Sequence, residues 1–265
     1  MVRTADTIVP LRTGRYNVGV KSPPKIRLDE LLVKRGLAET RHQAQIMIRM
    51  GKVLTPDRRL EKPGQAVPED LEIVIDSGPK YVSRGGYKLE GALQDLQLTV
   101  TDWICIDVGS STGGFTDCLL QKGAQKVYAV DVGKHLLHER LLADPRVISV
   151  TVNARHLTSG DISEKADLIT IDVSFIGIAK LIPALAPLIR SGGLILSMVK
   201  PQFECEPRQA PRGVVRNPDH IRQAVDRVAQ AFIEAGFHRK GDTPSRVTGP
   251  KGNREQFLLM QSGPG

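Results

Sequence analysis

A series of short apolar runs, which alternate with helical stretches in the later part of the chain, limits the possible fold most strongly. Five of these runs have the sequences WICIDV, KVYAVDV, RVISVTV, DLITIDV and GGLILSMV. The stretches between and after them predict helices at 114–122, 134–143, 176–190 and 218–235, and EQFLLMQ predicts a last strand. Runs that are apolar at almost every position are typical of strands buried on both faces. The alternation therefore predicts an α/β domain with a mostly parallel sheet that helices cover on both sides.

The N-terminal part has a different pattern, which predicts a small module of helices and short strands. Three leucines in IRLDELL recur at helical spacing, and the helix that they predict ends at Gly36. Thr40 is a suitable N-cap for a second helix, which ends at Gly51. The run LEIVI then predicts a short strand at 71–75. This module is too small for a large core of its own.

These patterns divide the chain into four predicted segments. Residues 1–24 are polar, and we interpret them as a tail that can be partly disordered. The small module covers 25–77, and a glycine-rich linker covers 78–87. The α/β domain covers 88–262.

The formal net charge of +8 suggests a polyanionic partner, either nucleic acid or an anionic membrane face. Many of the cations follow the second helix of the small module. No aromatic residues alternate with them, so phosphate contacts to a folded RNA fit better than base stacking. The predicted RNA-binding residues are Arg27, Lys34, Arg35, Arg41, Arg49, Lys52, Arg58, Arg59 and, in the linker, Arg84. The alternative is that these residues are ordinary solvated charges.

Composition disfavours several classes of protein. No apolar run approaches the roughly 20 residues that span a bilayer, and the N-terminal residues lack the continuous apolar segment of a signal peptide. The three cysteines are far apart and form no CxxC pair, so neither a disulfide framework nor a zinc site is expected. We therefore expect a reduced, cytoplasmic protein without a bound metal.

The loop after the first strand of the α/β domain, IDVGSSTGGF, predicts a cofactor site. Gly109 is followed by two serines, so the second glycine of the dinucleotide fingerprint G-x-G-x-x-G is absent, which disfavours a nicotinamide cofactor. Asp131 ends the next strand, where a carboxylate can accept both hydroxyls of a ribose. Together the loop and the acid favour S-adenosylmethionine, an adenosine without phosphates. Glycine-rich turns alone are common, so the prediction depends on the combination.

Four charged residues lie where strands of the predicted sheet begin or end. Asp172 and Lys200 each end an apolar run, Glu255 begins the last one, and Lys88 precedes the first. Parallel strands bring the first two to the edge with the cofactor loop, and Glu255 joins them if the last strand is antiparallel. A lysine there can take the proton of a ribose hydroxyl, which is a poor nucleophile until it is oriented and deprotonated. Taken one at a time, each residue is better explained by an ion pair or a snorkelling lysine.

The order of several motifs resembles one known family. The motifs are VSRGGYKLEGAL, DVGSSTGGFTDCLL, VYAVDVG, DPRV, DVSFI, VKPQFE, RGVVRNP and GNREQFLL. They resemble the TlyA-type, haemolysin-like rRNA methyltransferases, whose catalytic domain is of the FtsJ/RrmJ class. The segment RLDELLVKRGLAETRHQAQIMIRMGKV resembles the S-four RNA-binding domain, or αL motif. Together these segments extend over residues 25–262.

The resemblance implies a fold, a reaction and a set of residues. The implied fold is a class I, Rossmann-like methyltransferase domain preceded by a small α+β S-four-like domain. The implied reaction is methylation of a cytidine 2′-hydroxyl in ribosomal RNA by S-adenosylmethionine, with a catalytic tetrad of Lys88, Asp172, Lys200 and Glu255. The cofactor residues implied are Asp107, Gly109, Ser110, Gly113, Gly114, Phe115, Asp131 and Asn153. Ribosomal RNA or ribosomal subunits are the expected partners, and a monomer is favoured.

Two other functions stay open at this point. The haemolysin name suggests a membrane-active protein, although the chain has neither an apolar span nor a strongly apolar amphipathic helix. A non-catalytic RNA-binding factor of ribosome assembly is the second alternative, and the intact tetrad disfavours it.

Overall fold

The computed structural model describes residues 23–76 and 78–263. The chain divides into two compact units, an N-terminal unit that ends at Gly78 and a C-terminal unit that begins at Pro79. Residues 1–22 of the expected tail lie outside the described residues. Within the described part, no helix has the length and apolar character needed to cross a membrane.

The N-terminal unit is the expected small α+β module. Its elements are β1 (Lys25–Arg27), α1 (Leu28–Lys34), α2 (Arg41–Arg49), β2 (Val53–Leu54), β3 (Ala66–Pro68) and β4 (Val74–Ile75). β1 pairs with β3 and β2 pairs with β4, both antiparallel. The Thr40 hydroxyl accepts a hydrogen bond from the Gln43 backbone N–H at 3.1 Å, which confirms the predicted N-cap of α2. Gly36 and Gly51 follow the two helices with left-handed backbone, at φ 67° and 69°.

The strand predicted at 71–75 is shorter in the structure. Only Val74 and Ile75 form a ladder, because β2 offers only two partner residues. Leu71 and Ile73 still pack against the apolar core of the unit. The apolar pattern therefore predicted correctly that Leu71 and Ile73 pack in the core, but the strand pairing that it suggested is limited to Val74 and Ile75.

The C-terminal unit is built on one seven-stranded sheet. Its helices are α3 (Arg84–Asp95), α4 (Gly114–Gln121), α5 (Glu139–Leu142), α6 (Ile182–Leu185), α7 (Pro201–Glu204) and α8 (Pro218–Glu234). Its strands are β5 (Ile104–Val108), β6 (Lys126–Asp131), β7 (Val147–Thr151), β8 (Ala166–Ile171), β9 (Ile189–Val199), β10 (Phe237–Pro244) and β11 (Gln256–Ser262). The strand order is β10-β11-β9-β8-β5-β6-β7, with β5 to β9 parallel and β11 antiparallel to both of its neighbours. The predicted α/β domain with a mostly parallel sheet is confirmed.

Apolar clusters cover both faces of this sheet. Ile106 of β5 belongs to the cluster that includes Phe232 of α8. Its neighbour Cys105 belongs to the other cluster, with Leu89 of α3 and Leu119 of α4. Adjacent residues of one strand thus point to opposite sides, and both sides are buried. This explains why the strands are apolar at almost every position.

Four parts of the C-terminal unit differ from the prediction. The strand β10 was not predicted, because it lies at the sheet edge and only two of its eight residues are buried. The helix expected at 176–190 is broken into short pieces, since Pro183 and Pro187 interrupt backbone hydrogen bonding. Only four residues of the predicted helix at 134–143 are helical, in α5. Helix α3 begins at Arg84, inside the stretch that we interpreted as a linker.

Candidate active site

The strand register brings the four predicted catalytic residues to one edge of the sheet. β5 and β8 pair up to their last residues, so Gly109 and Asp172, which follow them, leave the sheet side by side. The first residue of β11 pairs with the last residue of β9, so Glu255 and Lys200 meet at that edge. This confirms the antiparallel last strand that Glu255 requires. Lys88 reaches the same edge from α3.

The four residues form two ion pairs. Nζ of Lys88 lies 2.5 Å from Oε2 of Glu255, and Nζ of Lys200 lies 2.6 Å from Oδ1 of Asp172. The exposed fractions of the Lys88 and Glu255 side chains are 11% and 1%, and those of Lys200 and Asp172 are 11% and 23%. Because each ammonium group has a carboxylate partner, the cluster is close to neutral although it is largely buried.

All four residues line one cleft of about 370 Å³ together with the glycine loop. Of the other predicted residues, the cleft is lined by Arg84, Gly109, Ser110, Gly114 and Phe115. The groups that the chain itself presents to this cleft are lysine amines, a guanidinium group, carboxylates, hydroxyls, an aromatic ring and backbone groups. No group of three or more His, Cys, Asp or Glu side chains in the described residues could hold a metal ion.

A second cleft, of about 450 Å³, adjoins the first. Two of the predicted cofactor residues, Asp131 and Asn153, line it, and so do the exposed side chains of Val132 and Leu136. Gly109, Ser111 and Asp172 line both clefts. The glycine loop and the end of β8 therefore separate the first cleft, which holds the ion pairs, from the second cleft, which holds Asp131.

Gly109 allows the loop to pass directly against the end of β8. Its φ is +85°, and a Cβ at this position would lie 2.5 Å from the carbonyl oxygen of Asp172. Gly192 has a similar φ of +71° but nothing within 4 Å of a Cβ. Comparing alanine substitutions at Gly109 and Gly192 therefore separates two costs. One is that of a left-handed backbone, and the other is that of a methyl group pressed against β8.

We expect Gly192→Ala to lower the free energy of unfolding by about 1 kcal/mol, which is the cost of an L-residue with left-handed backbone. Gly109→Ala should cost about 2 kcal/mol more, because the methyl group also collides with the strand backbone. Urea unfolding of the two variants measures both values. Equal decreases in the two variants would contradict the close approach of the loop to β8.

Glycines also bring α3 and α4 together. A Cβ on Gly114 would lie 3.0 Å from the backbone N of Gly86 and 3.1 Å from Cα of Gly85. Because both helices have glycines at this contact, the backbone of α3 lies against the first turn of α4. This contact places Lys88, two residues after Gly86, beside the glycine loop.

Gly113 and Phe115 fix the start of α4 in two other ways. Gly113 is the N-cap of α4, with φ +95°, and a Cβ there would lie 3.0 Å from the Leu137 side chain. The Phe115 ring stacks on Phe257 of β11 with a centroid distance of 6.0 Å. Helix α4, which follows the glycine loop, therefore packs against strand β11, which follows Glu255.

Backbone contacts hold the two polar residues of the second cleft. The two carboxylate oxygens of Asp131 accept hydrogen bonds from the N–H groups of Ser111 and Gly133, each at 2.9 Å. The side-chain oxygen of Asn153 accepts one from the N–H of Arg155 at 3.1 Å. Both side chains are thus oriented before any ligand arrives.

Asp107 and Gly113 are the predicted cofactor residues that line neither of these clefts, and of the two Asp107 is buried in the sheet. It is fully buried, and its oxygens accept hydrogen bonds from the hydroxyls of Thr116 at 2.7 Å and Thr170 at 3.0 Å. Burial raises the pKa of this carboxyl group to about 6. Asp107 therefore lies beneath the glycine loop, where it joins the end of β5 to α4 and β8.

The sequence analysis missed two residues beside Lys200. The Ser174 hydroxyl accepts a hydrogen bond from Nζ of Lys200 at 3.0 Å. Phe175 has left-handed backbone at φ +65° and an exposed fraction of 90%, and its ring lies 5.0 Å from that of Phe203. Both residues belong to the motif DVSFI, from which we assigned only Asp172 to the site. A polar and an aromatic residue directly after that aspartate could have been noticed.

A third missed residue joins two loops next to Glu255. Asn253 is buried, its side-chain oxygen accepts a hydrogen bond from Val215 N–H at 3.1 Å, and its amide donates one to the Gly213 carbonyl at 2.9 Å. Exposed cations on these loops, which form no ion pair with another described residue, are Arg212, Arg216, Lys251 and Arg254. Positive charge therefore also lies near the cleft, and the sequence analysis did not predict it.

In the N-terminal unit, half of the predicted RNA-binding cations have structural partners. Arg27 and Arg41 contact the buried Asp29 at 2.9 and 3.4 Å. The hydrogen bond from Arg27 holds the pKa of Asp29 well below its usual range. Lys34 pairs with Glu69, and Arg35 donates hydrogen bonds to the carbonyls of Glu69 and Leu71. These four cations therefore already have partners within the unit.

The other four predicted RNA-binding cations of this unit are exposed and form no ion pair within the described residues. They are Arg49, Lys52, Arg58 and Arg59, and we call them the free cations. All lie between the end of α2 and the loop after β2. They keep the properties expected of phosphate contacts.

Comparison with known proteins agrees with this description of the two units. The model of the FtsJ-like methyltransferase family matches residues 81–262, and that of the S4 domain matches residues 26–73. The chain is 42% identical over 242 residues to "16S/23S rRNA (cytidine-2'-O)-methyltransferase TlyA" of Mycobacterium tuberculosis, which covers 90% of each chain. It is 36% identical over 233 residues to "Hemolysin A" of Brachyspira hyodysenteriae, which covers 87% of this chain and 97% of that one.

A solved structure, "Putative hemolysin from Streptococcus thermophilus", is 40% identical, with a TM-score of 0.68, and covers 91% of this chain and 89% of its own. The matches extend over both units, so the resemblance seen in the motifs is confirmed. The chain belongs to the FtsJ-like methyltransferase family and carries an S4 domain before its methyltransferase domain.

Proposed function

We propose that this protein transfers a methyl group from S-adenosylmethionine to the 2′-hydroxyl of a cytidine in ribosomal RNA. One observation carries the proposal: Lys88, Asp172, Lys200 and Glu255 line one cleft next to the glycine loop. The Mycobacterium tuberculosis relative is named for this reaction on 16S and 23S rRNA. An S4 domain and the free cations fit an RNA substrate. Such a substrate also implies a cytoplasmic enzyme.

The residues of the second cleft fit an adenosine. The Asp131 carboxylate can accept the ribose hydroxyls, and Val132 and Leu136 offer apolar walls for a base. Gly109, where a Cβ would collide with the Asp172 carbonyl, has no side chain, so only backbone atoms form the boundary to the first cleft at this point. S-adenosylmethionine, bound here, supplies a methyl group on a positively charged sulfur, which leaves as a neutral thioether.

The first cleft fits the other reactant. Lys200 takes the proton of the 2′-hydroxyl, and Asp172 holds the ammonium group that results. The buried pair of Lys88 and Glu255 completes the wall and fixes the position of the hydroxyl. Once Lys200 has taken the proton, the two ammonium groups and the two carboxylates cancel, so the transfer leaves no unpaired charge in the cleft.

The proposal is tested with labelled S-adenosylmethionine and ribosomal subunits from cells that lack this protein. We expect label on one ribose 2′-oxygen of a cytidine, mapped by nuclease digestion and mass spectrometry. Label on a base, or none on either subunit, would overturn the proposal. Leakage of liposomes without methyl transfer would support the haemolysin alternative instead.

Phe175 gives a separate prediction about the RNA. An aromatic ring that is 90% exposed and follows Ser174, the residue that contacts Lys200, can stack on an unpaired base of the substrate. We expect Phe175→Ala to weaken subunit binding by about tenfold. The control is Ile233→Ala, which removes an exposed apolar side chain from α8. Equal binding by both variants in a filter-binding assay would rule out stacking by Phe175.

A further inference from the structure

Ser174 is the only residue of the described chain to which Lys200 donates a side-chain hydrogen bond of good geometry. The Nζ–Oγ distance is 3.0 Å. The contact of Nζ with Asp172 Oδ1 is shorter, at 2.6 Å, but Oδ1 has no partner with hydrogen-bond geometry among the described residues. The Asp172 carboxylate therefore stabilises the positive charge of Lys200, while the hydrogen bond to Ser174 fixes the orientation of its Nζ group.

We propose that Ser174 is a positioning residue that orients the amine of Lys200 toward the substrate hydroxyl. The inference rests on the proposed function, since it concerns the same proton transfer. The resemblance assigned only the four charged residues to this step. Ser174 acts through Lys200 and has no direct role in bond formation.

The reason is the geometry of a neutral amine, which has two N–H groups and one lone pair. If one N–H is bonded to Ser174 and the other faces Asp172, the lone pair takes the remaining tetrahedral direction. In the step itself, the hydroxyl proton passes to this lone pair while the O–CH₃ bond forms. The methyl–sulfur bond breaks, and its electron pair stays on the sulfur. Lys200 leaves the step as an ammonium group and returns its proton to solvent before the next turnover.

Without Ser174 the amine rotates about its last side-chain bond, and the lone pair faces the hydroxyl only part of the time. Lys200 keeps its charge partner, so the cleft should keep its fold and its ligand affinities. The decrease in rate therefore falls on kcat rather than on KM. Ser174 also lines the second cleft, so it could instead contact the methyl donor. A decrease in kcat without a change in donor affinity distinguishes the orienting role from that contact.

The experiment compares Ser174→Ala, Ser174→Thr and the control Ser159→Ala, which alters an exposed loop serine. We expect Ser174→Ala to lower kcat about tenfold, which is the upper end of the value of one hydrogen bond between neutral groups. KM for ribosomal subunits, Kd for S-adenosylhomocysteine by calorimetry and the unfolding midpoint should stay unchanged. Ser174→Thr, which keeps the hydroxyl at an exposed position, should restore kcat to within about threefold.

Three results would overturn the inference. The first is an unchanged kcat in Ser174→Ala. The second is a raised Kd for S-adenosylhomocysteine, which would mean that Ser174 binds the donor. The third is a failure of Ser174→Thr to restore kcat in a protein with normal stability. If wild-type protein methylates no subunit, the proposed function fails, whereas an active wild type with one of these results overturns only the role of Ser174.

Discussion

Lys200→Ala should lower the rate of methyl transfer on the order of a thousandfold, because the hydroxyl then loses the amine that takes its proton. The Kd for S-adenosylmethionine should change by a few fold at most, since Lys200 lines the first cleft and not the second. Lys200→Arg is the more demanding variant. Arginine keeps a cation beside Asp172 but stays protonated, so it should be equally inactive.

Single-turnover methylation of subunits measures this rate without the contribution of product release. Lys240→Ala, which changes an exposed lysine on β10, is the matched control and should behave as wild type. Activity in Lys200→Arg would show that only the positive charge matters. Activity in Lys200→Ala would remove Lys200 from the reaction altogether.

Replacing the four free cations by glutamine should lower the affinity for ribosomal RNA on the order of a hundredfold at moderate salt. The slope of log Kd against log salt concentration depends on the number of phosphates that the protein neutralises, so this slope should fall by about 3. The variant keeps Arg27, Lys34, Arg35 and Arg41, which have partners within the N-terminal unit, so its stability should not change.

The control is a variant of equal net charge in which four exposed cations of the C-terminal unit become glutamine, namely Lys165, Lys180, Arg222 and Lys240. A general effect of net charge would lower the slope equally in both variants. Salt titrations of binding to purified subunits distinguish the two results. An equal slope for the two variants would show that the N-terminal unit makes no phosphate contacts of its own.

The sequence was sufficient for those parts of the fold whose pattern is local. Strands buried on both faces are apolar throughout, so β5, β6, β8 and β9 could be predicted. Thr40 could be assigned as an N-cap because capping depends on neighbouring residues. β10 could not be predicted, because an edge strand gains its hydrogen bonds from β11 and needs few apolar side chains.

Within the candidate site, the sequence indicated which residues end strands but not how they pair. Nothing local shows that Lys88 pairs with Glu255, since 167 residues separate them. The same limit applies to the cations, because Lys34 finds its partner Glu69 across 35 residues. Eight basic residues that look alike in the sequence therefore divide into four structural and four free ones only after folding.

The antiparallel strand β11 has a consequence for biosynthesis. Six of the seven strands are translated before it, and they already contain the glycine loop, Asp131 and the pair of Asp172 and Lys200. Glu255 arrives later, and until then the amine of Lys88 lacks the partner that its burial requires. A nascent chain on the ribosome should thus first complete the cleft proposed for S-adenosylmethionine. It should become able to transfer a methyl group only when β11 inserts between β9 and β10.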